Sequence, residues 1–201
     1  MTSAGAFGFG GGGGRIAVTW SSSAFTGNYD CRGGTAPYGQ GQTGTLSLPE
    51  GAGLALTVNS GYRVGLAPGA HTFGAVTVAF GAELFFHGDS NTGAGCSITA
   101  AGCTVTGTIT ASSDGYAPGQ GAGGGGSAQA GTHGGRGGNN SDAAYGSVSA
   151  PVTLGGGGDD GWGGGAIKID VGAGTLTVNG VVASDGGAGG WSSYPDCGAG
   201  G

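Results

Sequence analysis

Runs of glycine constrain this chain more than any other feature. They recur as FGFGGGGG (7–14), GQGAGGGGSAQAGTHGGRGGNN (119–140), LGGGGDDGWGGG (154–165) and DGGAGGWSSYPDCGAGG (185–201). Ordering glycine loses more backbone entropy than ordering any other residue, and glycine brings no apolar side chain in return. With 56 glycines in 201 residues, about four times the usual share of roughly 7%, the chain either tolerates long linkers or uses glycine for close packing. Flexible linkers are Gly/Ser without large anchors, whereas Phe7, Phe9, Tyr145, Trp162, Trp191 and Tyr194 stand in or beside these runs. Extended glycine of the polyproline-II type has three residues per turn and no internal hydrogen bonds. Its backbone groups must therefore bond to neighbouring segments. HGGRGG (133–138) has that three-residue step, although SAQAG interrupts it upstream. Two readings of 119–140 stay open, an ordered leg of a glycine lattice and a mobile loop.

Between the glycine runs the pattern is β. Leu54, Leu56 and Val58 alternate, as do Val64 and Leu66, Val76 and Val78, and Leu84 and Phe86. Each set lies on one strand face. Turn signals such as NSG, APGA and FGA come every 7 to 12 residues, the spacing of all-β chains. No stretch of ten residues avoids glycine and keeps a helical period. GGGGRIAVTW (11–20) and GGGAIKIDVG (163–172) share a plan of glycine run then alternating strand, and CTVTGTITASSDG (103–115) and LTVNGVVASDGG (176–187) share another. Too many glycine runs intervene for a sandwich of seven regular strands. The expected fold is a single elongated β-solenoid, like a parallel β-helix, with essentially no helix and with polyglycine-II segments. One repeat-type domain would cover 1–201: a glycine run with strands (1–50), a short-strand β region (51–114), a glycine-rich segment (115–165), and a strand pair with a terminal glycine run (166–201). Both ends read as cut from a longer array.

The order HGGRGG, YGS, LGGGG, GGGAIKIDV and LTVNGVVASDGG (133–187), with GGGGRIAVTW, resembles a family of glycine-rich repeats found in large secreted or surface proteins of bacteria and protists. The resemblance covers about 90 residues near the two ends and implies a β-solenoid array. The glycine triplets are also similar to the polyglycine-II bundles at the tips of phage tail-fibre adhesins. Neither resemblance carries catalytic residues.

Charge narrows the partners. Five basic residues stand singly against eleven acidic ones, for a net charge of −6. No basic stripe exists to neutralise phosphates, so nucleic acid is excluded as a partner. No apolar run is long enough to span a bilayer as a helix. Cys31, Cys96, Cys103 and Cys197 lack metal-site spacing, so zinc is disfavoured. They are either small buried hydrophobes or two disulfides suited to an oxidising exterior. Cys96–Cys103 is the candidate pair because the two flank one short strand.

Candidate chemistry is sparse. Asp159 and Asp160 are adjacent on an extended chain and point to opposite faces, so they do not make a glycosidase pair. GGGGDDGWG departs from the calcium nonapeptide by one position and lacks a tandem copy. His71, His87 and His133 stand in unlike contexts. We therefore expect no catalytic residue, no metal and no cofactor. The expected function is a non-catalytic structural or adhesive module of a larger extracellular or cell-surface repeat protein. Tyr38, Trp162, Trp191 and Tyr194 are its candidate contact aromatics. Its partners would be surface glycans or neighbouring repeats, with weak self-association. The alternatives are a carbohydrate- or ice-binding module, the latter suggested by Thr104, Thr106, Thr108, Thr110, Thr175 and Thr177, and then a polysaccharide-active enzyme.

Overall fold

The structure, a computed structural model, describes residues 8–20, 25–37, 39–126 and 128–189. Twelve strands are formed among the described residues. They are β1 (Arg15–Ala17), β2 (Thr45–Ser47), β3 (Gly51–Val58), β4 (Arg63–Leu66), β5 (Gly69–Val78), β6 (Glu83–Phe86), β7 (Cys96–Ala100), β8 (Gly102–Val105), β9 (Thr108–Thr110), β10 (Ile167–Asp170), β11 (Thr175–Val178) and β12 (Val181–Ala183). Every strand pair is parallel. Among the described residues no helix is long and apolar enough to cross a membrane.

All-β character holds, but the single elongated solenoid does not. The strands divide into three parallel sheets: β1-β2; β10-β7-β5-β8-β11 with β3 on β5; and β12-β9-β6-β4. The physical reason lies in the glycine. Between β9 and β10 the chain runs from Ala111 to Ala166 without a strand, so the coil that leads from β3 to β9 is interrupted before the last tier. Besides β3, β5 serves two further neighbours, pairing β7 through Gly69–Phe73 and β8 through Val76–Val78. The two larger sheets curl about a shared apolar core.

That core is a set of columns, because parallel in-register pairing places like positions above one another. One column runs Leu56, Val76, Cys103, Leu176; a second runs Val58, Val78, Val105, Val178; a third runs Val64, Leu84, Ile109, Val182. The similar segments CTVTGTIT and LTVNGVVA are thus direct neighbours in register. Tight turns join the strands. Gly61 and Gly81 take φ values of 82° and 73°, left-handed backbone that glycine adopts without strain. The two turns also bond to each other, Gly61 N donating to Gly81 O at 3.0 Å.

Two glycine bundles flank the sheets. In the first, Gly10 N donates to Gly39 O and Gly13 N to Gln42 O, at 2.9 and 2.8 Å, while Gly41 N donates to Gly34 O and Gly44 N to Cys31 O, at 2.8 and 2.6 Å. In the second, Tyr116 N donates to Gly155 O and Gly119 N to Gly158 O, at 3.0 and 2.7 Å. Both partners shift by three residues between successive bonds, in the same direction except for Gly41 and Gly44, whose acceptors step back from Gly34 to Cys31; three is the step of a polyproline-II helix. Residues 119–140 join this bundle. Gly125 N donates to Gly157 O (2.8 Å), Thr132 N to Gly123 O (2.8 Å) and Gly156 N to Thr132 O (3.2 Å). The segment is also pinned by the buried Asn140, whose Nδ2 donates to Ala130 O at 2.8 Å.

The approach is too close for any side chain. A Cβ on Gly131 would stand 1.9 Å from Gly156 O, and one on Gly163 would stand 1.9 Å from Gly155 O. Not every glycine is so placed: Gly134 and Gly135 have nothing within 4 Å. We expect Gly131→Ala or Gly163→Ala to cost about 2–3 kcal/mol through forced backbone displacement, read as a lowered urea midpoint. Gly134→Ala should stay within about 0.5 kcal/mol of wild type. Equal effects at all three positions would contradict the packing described.

Candidate functional site

Among the described residues, the last tier of the sheets, β10 to β12, ends the core columns without a neighbour beyond it. Leu176, Val178 and Val182 are 45%, 43% and 42% exposed, whereas their column mates Val76, Val78, Leu84, Cys103, Val105 and Ile109 are exposed by 2% or less. The opposite end is closed. There Cys31 N donates to Arg63 O of β4 at 2.7 Å, and Cys31 and Leu46 are buried in the core. Among the described residues the sheets therefore have one covered end and one open end.

A cleft of about 650 Å³ lies at the open end, with Tyr145, Val148, Pro151, Ile167, Val182 and Ala183 among its walls. Its polar groups are already committed. Tyr145 Oη donates to Leu154 O at 2.7 Å, and burial pushes its pKa up to about 12. His133 lies edge-on to that ring, centroids 4.9 Å apart, with Nε2 at 3.2 Å from Thr153 Oγ1. Burial lowers the His133 pKa and favours a neutral imidazole. An apolar cleft with a neutral histidine and a protonated phenol suits burial of another apolar surface, not proton transfer.

Of the four candidate contact aromatics, Tyr38, Trp191 and Tyr194 lie outside the described residues. Trp162 is 47% exposed and borders a shallow groove with Gln40, Gln42, Ser112, Ser113 and Asp114. The carboxylate there is engaged from within. Asp114 Oδ1 accepts from Gln42 Nε2, its Oδ2 accepts from Gly88 N at 2.5 Å, and His87 Nδ1 stands 3.4 Å from Oδ2.

Cys96 and Cys103, the candidate disulfide, are free buried thiols, as is Cys31. Cys96 opens β7 opposite Gly69 and Cys103 lies in β8 opposite Val76. Seven residues of extended chain separate them, roughly 15–20 Å at a rise of about 3.3 Å per residue with allowance for a bend. That is far outside the reach of a disulfide. Burial pushes the Cys96 thiol up to about 12, with Glu50 and Asp114 adding to it, and raises Cys103 as well. Both behave as small apolar core residues.

The remaining titratable groups form pairs rather than constellations. His71 Nδ1 meets Glu50 Oε1 at 2.5 Å and its Nε2 meets Ala67 O at 2.8 Å, which occupies both ring nitrogens. Asp159 Oδ2 accepts from Ala128 N at 2.8 Å and helps hold the glycine bundle. Among the described residues no three His, Cys, Asp or Glu side chains gather as a metal site. Comparison with protein-family models, curated proteins and solved structures gave no match.

Sequence reading expects unpaired rungs at both ends but does not say which residues they expose. LTVNGVV reads like an inner tier, and nothing in its residues marks it as the last. The His133–Tyr145 pair was hidden for a similar reason, since it forms only when the glycine bundle folds back.

His133 gives this region a pH signature. An unfolded histidine titrates near pH 6.5, while the buried one is depressed below its ordinary value. Below about pH 6.5 the unfolded chain binds more protons, so stability falls as pH drops toward the folded value and is full above 6.5. The urea midpoint should fall between pH 7.5 and 5.5, and His133→Asn should reduce that fall. An unchanged pH slope in the variant would contradict the burial of a neutral imidazole.

Proposed function

We propose that this chain is a non-catalytic structural or adhesive module of a larger extracellular or cell-surface protein, one that stacks on a neighbouring repeat through its open tier. The supporting observation is the exposure of Leu176, Val178 and Val182 in columns that are otherwise buried. A further tier with aliphatic residues at the same positions would complete those columns and pair the free strand edges. The two glycine bundles, read as polyglycine-II packs, stiffen the flanks and fix where that tier docks. The cleft beside Tyr145 accepts the same apolar partner.

Each of the three side chains is about half buried already, so covering it adds about 1 kcal/mol. Much of that gain is offset by lost rigid-body freedom. Association between separate copies is therefore weak and dependent on concentration. Sedimentation velocity should show wild-type chain shifting to larger species as concentration rises. The double variant Leu176→Lys, Val182→Lys should stay monomeric with an unchanged circular dichroism spectrum. A wild-type chain that remains monomeric at every concentration would overturn the reading.

A further inference from the structure

A second surface, remote in character from the open end, is built by the outward face of the largest sheet. Thr57 pairs Thr77, Thr77 pairs Thr104, and Thr104 pairs Thr177. Four threonines thus stand in one column across four successive parallel strands. Their neighbours along the chain settle the direction they face: Leu56 and Val58, Val76 and Val78, Cys103 and Val105 are all buried. Thr57 and Thr104 are exposed, and Thr77 and Thr177 are half-exposed. Within the described residues none of the four hydroxyls has an internal hydrogen-bond partner. Two residues back along each strand, Ala55, Ala75, Gly102 and Thr175 occupy the same face, with Ala55 opposite Ala75 and Gly102 opposite Thr175. Neither column contains a charged or aromatic residue.

The chemistry of this face excludes the usual partners. Without charge the two columns offer nothing to nucleic acid or to an acidic peptide, the sheet's charged residues Lys168 and Asp170 lying on β10 opposite Ser97 and Thr99. Without aromatic or arginine anchors they have none of the residues that dominate protein interfaces. What they do offer is an array of methyl and hydroxyl groups with two repeats. Adjacent strands set one repeat at about 4.7–4.9 Å, and alternate residues along a strand set the other at about 6.6–6.8 Å. A periodic array gains most from a periodic ligand, because each additional matched position binds at no further rigid-body cost. Water in its crystalline form is such a ligand. Each threonine hydroxyl can take a lattice oxygen's place, while the methyl group orders the water beside it.

We propose that the column Thr57–Thr77–Thr104–Thr177, with the small residues beside it, is an ice-binding face. This inference is independent of stacking at the open end, and the two can fail separately. Purified full-length chain should show thermal hysteresis and be taken up into a growing ice hemisphere. Thr104→Tyr places a ring in the middle of the array but outside the core, and should abolish both effects while the circular dichroism spectrum and melting temperature stay unchanged. Thr57→Tyr, at the edge of the column, serves the same test if Thr104→Tyr disturbs the fold, and should at least halve the hysteresis. Wild-type chain that shows no hysteresis and is excluded from ice would overturn the proposal. So would a correctly folded variant as active as wild type. Retention on crystalline cellulose without any activity on ice would overturn it in favour of a crystalline polysaccharide as the periodic ligand.

Discussion

Where Gly163 passes Gly155, and where Gly131 passes Gly156, two backbones approach so closely that the position of a Cβ is already taken by a carbonyl oxygen 1.9 Å away. The arrangement of the described chain depends on contacts of this kind. They let segments with almost no side chains satisfy their N–H and C=O groups on one another. The bonds recover part of the backbone entropy that ordering so much glycine costs. A bundle of this kind has no apolar core of its own, so it must lean on one.

It does so at a few positions. Gly165 N donates to Ala111 O at 2.7 Å, which ties the end of the second bundle to the residue following β9. Leu154 is fully buried between the bundle and the sheets, and a Cβ on Gly88 would strike its Cδ2 at 2.6 Å. Ser184 Oγ donates to Gly165 O at 2.5 Å just beyond β12. The glycine bundle thereby sets the position of the last tier. The open columns and the threonine column are properties of the sheets, yet their accessibility follows from where the bundle stops.

Part of this was legible in the residues. The alternation of Leu56 with Val58, Val76 with Val78 and Leu84 with Phe86 marks the buried face, because a strand's period of two is local. The tight turns at Gly61 and Gly81 were legible for the same reason. The division into three sheets was not, since it depends on which strands pair, as β5 does with β3, β7 and β8, and partner choice is a long-range matter. Glycine carries no side chain to mark its partner, so HGGRGG looks uniform although a Cβ on Gly137 would stand 2.3 Å from Ala130 O while Gly134 and Gly135 are open. The Cys96–Cys103 pairing failed because nearness in sequence becomes distance along an extended ladder. Of the four-threonine column only Thr104 and Thr177 stood out in the sequence, for the converse reason: its members are scattered over 57–177 and meet only through register.

Everything described depends on glycine backbone, bonded laterally, being ordered structure. Amide hydrogen exchange measures this directly. The amides of Gly125, Thr132, Gly157 and Gly163, each donating to another segment, should exchange slowly, while those of Gly134 and Gly135 should exchange at close to the free rate. Fast exchange throughout 115–165, with protection confined to the strands, would contradict it.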